Sequence, residues 1–98
     1  MTDTLNIRRV VIDVDKALTM PSLIEIAEAI QRCDGVAAQN ITVTEVDLET
    51  IGTSITIEGE GMDYDALVRA IENSGAVVHS LDELICGDHI VDYVPRAR

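Results

Sequence analysis

Asp13 and Asp15 stand two residues apart, and Glu45 and Asp47 repeat that interval, with Glu49 following. In an extended strand alternate side chains project to one face, so each pair puts two carboxylates on one side of a sheet. Hard cations such as Ca²⁺ need several carboxylate or carbonyl oxygens held together. Asp82-Glu83 adds two acids, and His79 lies three residues before them. The candidate metal-ligating set is therefore Asp13, Asp15, Glu45, Asp47, His79, Asp82 and Glu83, with Ca²⁺ the expected ion. The twelve-residue EF-hand loop with its terminal Glu is missing, so any such site must be assembled by the fold.

The same residues do not make an enzyme. Paired carboxylates catalyse hydrolysis when burial keeps one of them neutral, and nothing in the sequence points to burial. His79 has no Ser or Cys nucleophile placed beside it. Gly59 and Gly61 sit next to Glu58 and Glu60, which repel phosphate, and no Lys follows. The sequence predicts a non-enzymatic protein.

The elements that would carry these residues follow from periodicity. Residues 7–15 read as a strand with Val10, Ile12 and Val14 on one face and Arg9, Val11, Asp13 and Asp15 on the other. Pro21 suits the first turn of a helix. Ser22 and Glu25 have capping-box spacing, and Leu23, Ile26, Ala27 and Ile30 form an apolar stripe that stops at Asp34-Gly35. Residues 36–49 are β-rich, but the apolar parity changes between Val43 and Val46. Either a bulge near Glu45 or a strand that outruns the core accounts for it. A turn over residues 50–52 leads to a partner strand marked by Ile55 and Ile57, ending at 58–61. Asp63 is a good N-cap for a second helix with Tyr64, Leu67, Val68 and Ile71 as its stripe, closed by Asn73-Ser74-Gly75. Val77 to Ile85 reads as a fourth strand.

This is a βαββαβ order, which predicts an α+β, ferredoxin-like sandwich: an antiparallel sheet with two helices on one face. Right-handed crossovers put strands one and three in the middle. Strand one then ends at the edge where strand two ends and strand four begins. That edge gathers Asp13, Asp15, Glu45, Asp47, Glu49 and His79, with Asp13 beside His79. The opposite edge collects Glu58, Glu60, Asp63, Asp65, Asp82, Glu83 and Asp88.

Ninety-eight residues make a single domain over 1–98, with a core of about 6–86 and a tail at 87–98 carrying Ile90, Val91, Tyr93 and Val94 and a basic end at Arg96 and Arg98. With no Phe or Trp and two Tyr, the core must be aliphatic. Eighteen acidic residues against seven basic ones, with Lys16 the sole lysine, give a net charge of −11. That balance excludes nucleic acid and anionic membranes as natural partners. It suits cations, basic proteins or the high-salt cytoplasm of a halophile. Cys33 and Cys86 are too far apart for a finger or a redox pair and read as reduced small hydrophobes. Met1-Thr2-Asp3-Thr4 does not resemble a signal peptide, and no stretch is long enough to span a bilayer. The expectation is a soluble, cytoplasmic protein.

The run from Gly35 to Gly75 resembles heavy-metal-associated domains of copper chaperones, but their CxxC is replaced here by Asp15-Lys16-Ala17-Leu18-Thr19-Met20-Pro21, so soft-metal carriage is not supported. A closer resemblance, over nearly the whole chain, is to the archaeal domain-of-unknown-function family 211. It rests on Val10-Val11-Ile12-Asp13-Val14, Gly35-Val36 with Asn40-Ile41-Thr42, Glu45-Val46-Asp47-Leu48-Glu49-Thr50, Asp65 through Ala70-Ile71-Glu72, and His79-Ser80-Leu81-Asp82-Glu83 before Gly87. The resemblance implies a ferredoxin-like fold, assembly into oligomers and bound calcium, with Asp13, Glu45, Asp47, Asp82 and Glu83 at acidic positions of the family pattern.

Three function classes follow. The first is a self-assembling protein, a ring or filament of identical copies, whose oligomerisation or polymerisation depends on divalent cations. The second is a regulatory module like the amino-acid-binding ACT domains, which share this element order. The third is an acidic interaction subunit for a basic protein.

Overall fold

A computed structural model describes residues 5–96. Met1-Thr2-Asp3-Thr4 and Arg98, on which two of the readings above fall, lie outside the described residues. The elements are β1 (Ile7–Ala17), α1 (Leu23–Gln31), β2 (Val36–Val46), β3 (Thr50–Met62), α2 (Tyr64–Asn73) and β4 (Val77–Cys86). The sheet is antiparallel in the order β2-β3-β1-β4. This is the ferredoxin-like arrangement, with strands one and three central.

The core sits where the helical stripes meet one parity of the central strands. Val10, Ile12 and Val14 of β1 pair with Ile57, Ile55 and Thr53 of β3, and all six are fully buried. Ile26 and Ile30 of α1 and Leu67 and Ile71 of α2 close over them. Thr53 places its hydroxyl in this layer by donating to the Val14 carbonyl at 2.8 Å, which satisfies a group that would otherwise be costly to bury. Both helix starts are capped as their sequences predict. Ser22 and Glu25 bond reciprocally at 3.1 and 2.8 Å, and Asp63 accepts from the Ala66 N–H at 3.3 Å.

Three readings are corrected. Pro21 is not in the first turn of α1. It precedes the Ser22 cap and is buried, following a cis peptide after Met20. The hairpin turn is not at 50–52 but at 47–49, closed by Asp47 N–H donating to the Thr50 carbonyl at 2.8 Å, so 50–52 belong to β3. Asp47 and Glu49 thus ride on the turn instead of extending the strand face that carries Glu45. β1 also runs two residues past Asp15, to Ala17.

The parity break has a structural cause. The β2–β3 register shifts between Val43 and Glu45, leaving Thr44 unpaired. From Thr42 onward every residue of β2 is also exposed, so the strand both bulges and outruns the core. β4 carries two more irregularities, which leave Asp82 and His79 without partners on β1.

Candidate functional site

The end of the sheet where β1 and β2 finish and β4 begins holds most of the candidate residues. β1 brings Asp13 opposite Ser54 and Asp15 opposite Gly52, and β2 brings Glu45 opposite the same Gly52. Asp15 and Glu45 therefore flank one glycine on the face away from the helices. A methyl group at Gly52 would lie 3.5 Å from the Glu45 Cβ and 3.6 Å from the Asp15 Oδ1. The glycine leaves an open gap between the two carboxylates.

Asp13 meets His79 across β1 and β4, with Nδ1 of the imidazole 3.5 Å from Oδ2. Both are substantially exposed, so the attraction is weak. Asp47 turns its Oδ1 onto the Leu48 N–H at 2.7 Å, as a hairpin-turn residue does. Asp82 accepts from the Ser80 hydroxyl at 2.8 Å. Glu83 lies 3.6 Å from Arg9 and is occupied by that cation. The structure thus brings Asp13 to His79 and Asp15 to Glu45, leaves Asp47 on the hairpin turn at the same end, and places Asp82 and Glu83 farther along β4. Among the described residues no three or more His, Cys, Asp or Glu side chains form a group that could hold a metal ion.

The same end is apolar. Leu18, Met20, Ile24, Val43, Val46, Leu48 and Val77 are all exposed there, Leu48 to 89%. Val46 pairs with Ile51 and Ile51 with Lys16, so the hairpin extends a helix-side apolar strip beyond the cover of α1.

Lys16 is the feature that the sequence left unread. It lies at the end of the buried parity of β1 and is only 6% exposed. Its ammonium donates to the Ala17 carbonyl at 2.7 Å and the Leu18 carbonyl at 3.3 Å. No signal beyond the alternation Val10, Ile12, Val14, Lys16 marks it, and a lysine there normally ends a strip instead of joining it. An amine-acylating reagent is expected to leave Lys16 unmodified in the native protein and to modify it fully in denaturant, read by mass spectrometry of the digested chain. Equal modification in both states would show that the side chain is free.

The opposite end of the open face is organised around Arg9. Its guanidinium bonds to Glu58 at 2.8 Å, with Glu83 at 3.6 Å and Asp92 at 3.4 Å. The Glu58 hydrogen bond, ahead of the surrounding negative charge, raises the arginine pKa further. Asp92 belongs to the segment after β4, so this contact brings the tail back against the sheet. Asn6 secures the same end. It donates to the Gly87 carbonyl at 3.0 Å and accepts the Gly61 N–H at 2.7 Å. Cys33 is half-buried between the helices, and burial, reinforced by Asp34, pushes its thiol pKa up. That is the opposite of what a reactive cysteine needs. Among the described residues no helix is long and apolar enough to cross a membrane.

Comparison with known proteins gives a family and one curated relative. The model of the family DUF211, described as Uncharacterized ArCR, matches residues 8–98. The uncharacterized protein MJ0319 of Methanocaldococcus jannaschii is 36% identical over 88 residues, covering 90% of this chain and 90% of that protein.

Proposed function

The chain belongs to the archaeal DUF211 family, and from that membership and its geometry we propose a non-enzymatic protein of the cytoplasm that assembles with copies of itself under the control of divalent cations, Ca²⁺ foremost. The observation that carries this reading is the coincidence of exposed apolar residues with carboxylates, half-buried at Asp13 and Asp15 and exposed at Glu45, Asp47 and Glu49, at one end of the sheet. Leu18, Met20, Val46 and Leu48 favour burial against another surface. Asp13, Asp15, Glu45, Asp47 and Glu49 oppose it when that surface belongs to an identical chain of net charge −11. A divalent cation bound between carboxylates of two copies removes the repulsion. Oxygens from two subunits are what such an ion needs when one subunit supplies Asp15 and Glu45 and, among the described residues, no group of three ligands. The edge strands β2 and β4 add unpaired backbone groups to the contact.

Light scattering with calcium and then with chelator tests this. The expected result is a several-fold rise in mass with calcium, reversed by chelation, and loss of the response in the double variant Asp15→Asn, Glu45→Gln. An unchanged monomer under both conditions would end the proposal. A mass that rises equally in the double variant would remove the carboxylates from it.

A further inference from the structure

A cavity of about 450 Å³ lies at the Arg9 end of the molecule, remote from the acidic apolar end, walled by Arg8, Glu58, Glu60 and Ile90 over a floor of glycine and alanine. A smaller cavity of about 200 Å³ shares Ala38 and Glu58 with it and continues along β2 and β3 past Asn40 and Thr56. The floor is low because Gly35 and Gly59 bring two backbones together, with Glu60 N–H donating to the Gly35 carbonyl at 3.0 Å. The volume falls in the range of small-molecule sites, roughly 300–1,000 Å³.

Arg8 sits at the register shift between Ile7 and Arg9, which breaks the alternation of β1 there. Its Nε is buried and has no acceptor among the described residues. Its Nη1 lies 3.8 Å from Glu60 Oε1, a loose pair with a carboxylate whose side chain is 77% exposed. A buried donor without a partner calls for an explanation, and the fork of a guanidinium matches a carboxylate. Glu58 is engaged by Arg9 through Oε2, whereas Glu60 has only the loose Arg8 contact among the described ion pairs. The cavity therefore offers a cation short of acceptors and a carboxylate short of cations, beside the apolar surfaces of Ile90 and Ala38.

We propose that this cavity binds a small zwitterion of the α-amino-acid class, its carboxylate on Arg8, its ammonium on Glu60 and its side chain against Ile90 and Ala38. A simple anion meets Glu58 and Glu60, and a simple cation meets Arg8, so neither matches the lining as a molecule with both charges does. Ile90 comes from the segment after β4, which Asp92 ties to Arg9 at 3.4 Å. A ligand packed against Ile90 therefore touches the tail.

Amide chemical-shift titration of the full chain tests this, with glycine, leucine, glutamate and lysine as probes and with acetate, butylamine and N-acetyl-leucine as one-ended analogues. The expected result is saturable shifts at Ala38, Gly59 and Ile90 with at least one free amino acid and none with the analogues at the same concentration. Arg8→Gln should weaken binding by about tenfold. Ala38→Leu, an exposed position, fills the floor without changing charge and should abolish the saturable shifts. No saturation by any amino acid, equal binding of a one-ended analogue, or binding unchanged in Ala38→Leu would each overturn the proposal.

Discussion

Gly59→Ala is expected to cost about 3 kcal/mol of stability and to lower the melting temperature by roughly 15 °C for a domain of this size. A methyl group at Gly59 would lie 1.8 Å from the Gly35 carbonyl oxygen, 2.9 Å from its carbon and 3.1 Å from the Ala37 nitrogen. All three are backbone atoms, so no rotamer change relieves the collision. β2 must instead move away from β3 at its first pairing, Val36 with Gly59, and the Glu60 N–H loses the Gly35 carbonyl. Gly61→Ala is the control. Gly61 is left-handed at φ 58° with nothing within 4 Å of the added methyl. It should cost only the backbone penalty, about 1 kcal/mol. Thermal denaturation followed by circular dichroism separates the two. If the Gly59 variant melts with the Gly61 variant, the close approach of β2 and β3 does not hold that edge.

Ile12→Ala is expected to cost about 4 kcal/mol, a large share of the 5–15 kcal/mol that holds a typical domain. Ile12 is fully buried at the crossing of three strands, opposite Ile55 of β3 and Leu81 of β4. The core has no Phe or Trp with which to fill the gap, and the surrounding branched aliphatics have few rotamers to offer. Leu81→Ala removes the same three carbons from the neighbouring edge strand, yet Leu81 is 39% exposed, and its loss should cost less than about 1 kcal/mol. Denaturant titration of both variants checks the contrast. Similar midpoints would mean that the packed layer extends over β4, against the exposure of its Leu81 and Leu84.

Much of this molecule is legible in its sequence because the signals are local. Alternation at Val10, Ile12 and Val14, the Ser22–Glu25 box and the Asp63 cap depend on neighbours within a few residues, and each forms as predicted. The βαββαβ order then leaves few topologies and makes β1 and β4 neighbours, and the register brings Asp13 beside His79 as expected. Where the local signal was ambiguous the structure decided. The turn lies at 47–49 because the Asp47 N–H finds the Thr50 carbonyl, a closure that the Thr50–Gly52 composition does not reveal, and it takes Asp47 away from Glu45.

The element order, the aliphatic core and the excess of negative charge can be read directly from the residues. Tertiary structure alone decided which acids are paired, which are left facing solvent, and that the only lysine is buried. Those outcomes depend on register across strands distant in sequence. The shift at Thr44 puts Glu45 across Gly52 from Asp15, and the irregularities at Asp82 and His79 reset β4 against β1. A shift of one residue exchanges the faces of every side chain beyond it; the parity break between Val43 and Val46 hints at the first of these shifts, but no local pattern says which residue of a distant strand lies opposite.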